Sequence, residues 1–189
     1  MYKDIIKLIY LLVSQPQKAW EGLAKDEPNQ EEFQSKYLYP IIGAIAAIAF
    51  LSLLLTRSAF SFEMALKSSI LSLIVYFGGF FLASYLLNEC GARFFGKEKD
   101  MKLCQRFVGY GSSLMYALNV VLMLLPEFFF LRVLVLYTFY MIWEGAPIYM
   151  GVSDNERLKY TSIASAIILI VPVAVEKVVV MLMPGLNLN

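Results

Sequence analysis

Residues 68–88 read SSILSLIVYFGGFFLASYLLN, twenty-one residues without one charged side chain. As an α-helix rising about 1.5 Å per residue, the stretch is roughly 32 Å long, the thickness of a bilayer's hydrocarbon core. A soluble core helix of this length keeps a polar face. Here only isolated Ser and Tyr interrupt the apolar run. The solvent of this segment is lipid.

Four further stretches repeat the pattern, giving expected spans at 37–56, 68–88, 108–126, 128–150 and 160–183. Tyr37 to Thr56 opens on Pro40, where a missing N–H is tolerated in a first helical turn, and carries Gly43 and Ala47 at helix-packing spacing. Such a small-residue face serves a homo-oligomer interface or packing within one chain; the second reading is preferred. Gly78-Gly79 in the second span invites close approach of a neighbour. Pro126-Glu127 leaves room only for a tight turn, so the third and fourth spans form a helical hairpin. The fold class is therefore all-α: a polytopic membrane bundle of five transmembrane helices, preceded by a short amphipathic helix.

The chain divides into a cytoplasmic N-terminal region, residues 1–36, and the membrane domain, 37–189. In the first region Ile5, Leu8, Ile9 and Leu12 share a helical face, with Lys3, Asp4 and Lys7 beside it. This helix either lies on the membrane surface or packs on the bundle's own loops. Trp20 suits a headgroup anchor.

Five spans place the termini on opposite sides. With the N-terminus inside, the cytoplasmic segments hold Lys3, Lys7, Lys18, Lys25, Lys36, Arg93, Lys97, Lys99, Lys102, Arg106, Arg157 and Lys159. The other side holds Arg57, Lys67, Arg132 and Lys177. Twelve against four is the positive-inside asymmetry, so the N-terminus is cytoplasmic and the C-terminus outside. Cys90 and Cys104 then face a reducing compartment, which disfavours a disulfide.

Absences narrow the chemistry. The chain has no histidine, which removes His-based metal sites and Ser-His or Cys-His nucleophile pairs. Its two cysteines match no zinc spacing, and no phosphate-cradling glycine loop occurs. Every Asp lies outside the spans. A net charge of +1 gives no field to recruit nucleic acid. No cofactor, metal or catalytic residue is expected, and the chain is not read as an enzyme.

Two constellations remain. Glu144, within the fourth span and followed by Gly145-Ala146-Pro147, is an intramembrane carboxylate that must be paired, protonated or wetted. Tyr116 and Asn119 are its conceivable partners, and Pro172 in the fifth span adds a second interruption. The linker 89–107 is basic and Phe-rich, with Arg93, Lys97, Lys99, Lys102 and Arg106. It could hold anionic lipid headgroups or a cytosolic protein.

Four sequence segments carry a resemblance. QPQKAW (Gln15 to Trp20), KYLYP (Lys36 to Pro40), the run from Ala92 to Tyr116 with its Gly109-Tyr110, and MIWEGAPIYMG leading to Ser162 occur in the order found in the Yip1 family of five-span membrane proteins. The chain resembles a compact prokaryotic-type member, placing it in the bacterial cytoplasmic membrane. For eukaryotic members the resemblance implies binding of prenylated Rab-type GTPases and support of vesicle traffic. Those members carry Asp-Leu-Tyr-Gly-Pro before their spans, where this chain has Tyr37-Leu38-Tyr39-Pro40. The resemblance supplies a fold and no catalytic residues. The function read from the sequence is a non-enzymatic membrane scaffold or adaptor; the alternative is a small transporter or lipid-handling protein using Glu144.

Overall fold

In a computed structural model, residues 2–26, 28–56 and 61–182 are described, and among them every regular element is helical. The order is α1 (Tyr2–Ser14), α2 (Pro16–Asp26), α3 (Gln30–Phe33), a π-helical turn (Gln34–Leu38), α4 (Tyr39–Thr56), α5 (Phe62–Phe95), α6 (Met101–Gly111), α7 (Ser113–Leu124), a 3-10 segment (Pro126–Tyr137), α8 (Thr138–Met150) and α9 (Asp154–Leu182). Four helical stretches are long and apolar enough to cross a membrane: Gln30–Leu53, Phe62–Phe95, Pro126–Met150 and Asp154–Leu182. α6 and α7, bent by 42° where they meet, make a fifth if the pair is one span. Arg57 and the tail from Met183 onward lie outside the described residues.

Several helices depart from the expected bounds, each for a local reason. The first span starts upstream, at Gln30, where Asn29 Oδ1 accepts the Glu32 N–H at 2.8 Å. Pro40 is thus interior and cannot offer an N–H to the carbonyl four residues back. The preceding π turn absorbs the fault, with the Tyr39 N–H bonded to the Gln34 carbonyl. α5 covers 34 residues, about 51 Å, more than a bilayer core requires. It ends at Gly96, whose φ of 58° is the left-handed conformation glycine adopts freely.

The linker expected at 89–107 shrinks to residues 96–100. Asp100 Oδ1 accepts the Leu103 N–H at 2.9 Å and starts α6. Cys104, Phe107 and Val108 then fall on its buried side. α6 gives way to α7 at Ser112, whose hydroxyl bonds the Val108 carbonyl at 2.8 Å, a contact of the kind that bends helices.

The fourth span is not one α-helix. Its first part, Pro126–Tyr137, is 3-10 helical with a kink at Phe128, whose φ of −83° and ψ of 27° are not helical, and it buries no side chain. Arg132 and Glu127 lie on it, both exposed and not ion-paired with each other.

α5 is the central rod, packed along α4 on one side and α9 on the other. Gly79 lies tight against α9, where a Cβ would stand 3.1 Å from Pro172 Cα. Gly43 does the opposite of what in-chain packing requires. It is exposed, nothing lies within 4 Å of where its Cβ would be, and Ala47 one turn on is exposed too. Ser72 and Ser84 of α5 bond the carbonyl four residues back, which satisfies their hydroxyls where lipid offers no partner, whereas the buried hydroxyls of Thr161 and Ser165 on α9 have no partner.

Candidate functional site

α8 is the helix around which the polar side chains gather. Pro147 lies inside it and deprives the Trp143 carbonyl of its usual N–H. Arg157, from the first turn of α9, supplies the missing donor: its Nε stands 2.9 Å from that carbonyl. The same guanidinium lies 4.4 Å from the Trp143 ring centroid and 3.6 Å from Glu144 Oε2. Side-chain exposure is 20% for Arg157 and 17% for Glu144. The Glu144 carboxylate is therefore paired, and α8 runs unbroken through Gly145-Ala146-Pro147.

Tyr116 and Asn119 are elsewhere. Asn119 Nδ2 donates to the Met115 carbonyl of its own helix at 2.8 Å. Tyr116 packs edge-on against Tyr76, with centroids 5.7 Å apart. The three residues grouped by sequence do not form one site.

The other face of α8 receives the N-terminal region. Trp20 of α2 is fully buried, and its Nε1 donates to the Met141 carbonyl at 2.9 Å. Its ring packs on Phe107 and Tyr149, with centroids at 5.1 and 5.3 Å. Gly145 makes the room: a Cβ there would stand 2.5 Å from the indole. Trp20 is thus an internal latch and not a headgroup anchor. α1 follows α2 onto the bundle, burying Ile5 and Leu12, and Tyr137 donates to the Val13 carbonyl at 3.0 Å. Flanking that face, Tyr2, Ile6 and Tyr10 form an exposed stripe at helical spacing, with exposed Lys3 and Lys7 next to it.

The basic residues expected to form one cytoplasmic surface have divided roles. Lys97 Nζ caps α8 through the carbonyls of Met150 and Gly151, at 2.8 and 3.0 Å. Lys99 pairs with Glu89 at 2.5 Å, and Arg106 Nε donates to the Tyr149 hydroxyl at 3.1 Å. Arg93 and Lys102 point outward and are exposed.

The elements joined by these contacts, from the second half of α1 through the proline turn of α9, are the elements that a family comparison recognises together. The Yip1 domain family model matches residues 9–175. The chain belongs to the Yip1 family. That match takes in Trp20, the α6–α7 pair and Glu144 with Arg157, so the latch and the clamp both lie within the Yip1 domain. It also identifies the chain as a multi-pass integral membrane protein. Comparisons with curated proteins and with solved structures gave no match.

Two of the functional contacts had a readable signal. Pro147 points to residue 143 as the carbonyl left without a donor, and Arg157 lies just past the connection to α9. The partnership of Trp20 with Gly145 has no such local mark. Among the described residues, no cluster of Cys, Asp and Glu is arranged to hold a metal.

Proposed function

We propose that this Yip1-domain protein is a non-enzymatic membrane scaffold or adaptor, with its N-terminus cytoplasmic and C-terminus outside in a bacterial cytoplasmic membrane. The observation that carries the reading is α1. One side of it is fixed to the bundle through Ile5 and Leu12, and the flank next to that side displays Tyr2, Ile6 and Tyr10 beside Lys3 and Lys7. An apolar stripe flanked by lysines suits an anionic bilayer surface, where each basic residue contributes about 1 kcal/mol. Arg93 and Lys102 add exposed charge from the α5 and α6 ends, the part of the basic segment left for anionic headgroups or a cytosolic protein. The twelve-to-four segregation of basic residues supports the orientation. Glu144, held by Arg157 at 3.6 Å, favours a fixed scaffold over the alternative of proton-coupled transport.

The test is lipid retention. Protein carrying K3Q, K7Q, R93Q and K102Q is reconstituted in vesicles of phosphatidylcholine and phosphatidylglycerol, then released and weighed by native mass spectrometry. Loss of the phosphatidylglycerol enrichment seen with the unaltered chain is expected. Equal enrichment in both proteins would remove the basis of the proposal.

A further inference from the structure

A cleft of about 410 Å³ opens where α5, α6 and the ends of α8 and α9 converge. Its chemistry is divided by depth. At the mouth stand the exposed carboxylates of Glu98 and Asp100. Deeper lie Asn88, Cys104 and Tyr160, all buried. Tyr160 is 1% exposed, and its hydroxyl has no hydrogen-bond partner, an arrangement that costs about 1–3 kcal/mol when nothing fills it. Asn88 Oδ1 is taken by the Cys104 thiol at 3.8 Å, which leaves the amide nitrogen as its free donor.

One cation, Lys97, offsets part of the negative charge at the mouth, but its ammonium is directed to the Met150 and Gly151 carbonyls. Asp100 spends one oxygen on the α6 cap and keeps the other. The free groups are thus acceptors with negative charge outside and neutral donors inside. That polarity fits a ligand with an ammonium at one end and an oxyanion at the other. The cleft also lies at Leu87 to Gly91, where the uncharged run of α5 ends and headgroups begin.

We infer that this cleft binds an ammonium–phosphate group of the phosphoethanolamine type, either on a bilayer lipid or as the free compound. The phosphate accepts from the Tyr160 hydroxyl and the Asn88 amide, and the ammonium donates to Glu98 and Asp100. A choline group fits less well, because its methylated nitrogen has no N–H to donate. This site is independent of α1 and of the adaptor reading.

The experiment uses the full chain in nanodiscs of phosphatidylcholine with or without phosphatidylethanolamine. Lipids carried into native mass spectrometry report the lipid source. Saturation-transfer NMR with soluble phosphoethanolamine, in discs lacking phosphatidylethanolamine, reports the free source. Tyr160→Phe and Asp100→Asn are compared with the unaltered chain, with helical content and melting as controls for folding. We expect phosphatidylethanolamine retained over phosphatidylcholine, or phosphoethanolamine bound, or both, with affinity about tenfold lower in Tyr160→Phe, the equivalent of one lost hydrogen bond. A signal from the lipid alone assigns the bilayer source, and one from the soluble compound alone the free source. No preference for phosphatidylethanolamine together with no phosphoethanolamine signal would overturn the inference. So would binding unchanged in a folded Tyr160→Phe.

Discussion

Arg157 Nε donates at 2.9 Å to the carbonyl of Trp143, four residues before Pro147. A side chain on α9 thereby replaces the backbone donor that proline removes from α8. The same guanidinium faces Glu144, so one residue serves a carbonyl and a carboxylate that would otherwise both be short of a partner.

Replacing it should show both debts. Arg157→Gln is expected to destabilise the protein by about 3 kcal/mol, the usual cost of leaving one side of a largely buried pair uncompensated. Glu144→Gln should cost less, about 1 kcal/mol, because the amide still accepts from the guanidinium. Pro147→Ala restores an N–H for Trp143, so Arg157→Gln should be milder in that background. Reversible unfolding in mixed micelles gives the four stabilities, and an Arg157→Gln penalty unchanged by Pro147→Ala would refute the carbonyl clamp.

The Trp20 latch predicts a different phenotype. Gly145→Ala puts a methyl 2.5 Å from the indole, which expels either the ring or the helix carrying it. Trp20→Ala removes the ring and should cost about 3–5 kcal/mol, as aromatic truncations in packed cores do. Both changes should release α1 and α2 from α8 and expose residues 15–30 to limited proteolysis. In the Trp20→Ala background Gly145→Ala should add little. An equally protected N-terminal region in all three variants would mean that α2 is held by something other than Trp20.

Four long apolar helices were legible because lipid demands long uncharged runs, and residues 68–88 satisfy that demand without any tertiary information, whereas the stretch at 108–126 falls on the bent α6–α7 pair. The positions of α2 and the basic side chains were not. Met141 lies 121 residues from Trp20 in sequence, and no local pattern marks a tryptophan that will enter a helix–helix seam. Lys97 and Arg106 read as surface charge for the same reason: their acceptors, on the end of α8 and on Tyr149, arrive only with the fold. The 3-10 segment was unreadable because Phe128 to Leu136 is apolar all round apart from Arg132, leaving no periodicity to separate one helical pitch from another.

Gly79 and Gly43 look alike in sequence and should behave differently. Gly79→Ala forces a methyl against Pro172 Cα at 3.1 Å, and backbone cannot swing aside as a side-chain tip can. A loss of about 1–3 kcal/mol is expected, in the range of overpacked core positions. Gly43→Ala meets nothing within 4 Å in the single chain and should be neutral or stabilising by up to about 1 kcal/mol, since alanine is the better helix former. Unfolding of the two variants at low protein concentration separates them. A destabilised Gly43→Ala whose loss grows with protein density in the bilayer would instead locate a contact between copies on the Gly43–Ala47 face.

Lys97 and Lys102 make the corresponding pair among the charges. Lys97 places its ammonium on the last carbonyls of α8, next to Gly151 with its φ of 60°, where a cation also meets the negative end of the helix dipole. Lys97→Met keeps the aliphatic stem and removes only the donor, so the loss should be about 1–2 kcal/mol, reduced from the full value of a charged hydrogen bond because the group is half-exposed. Lys102 is exposed on the outer side of α6, and Lys102→Met should remain within about 0.5 kcal/mol of the unaltered chain. Amide exchange at residues 149–152 provides the site-specific readout: faster exchange in Lys97→Met alone identifies the cap. Matching exchange rates in the two variants would show that the end of α8 is held by Gly151 and the Val152 N–H, which already reaches the Ala146 carbonyl at 3.1 Å, without help from the lysine.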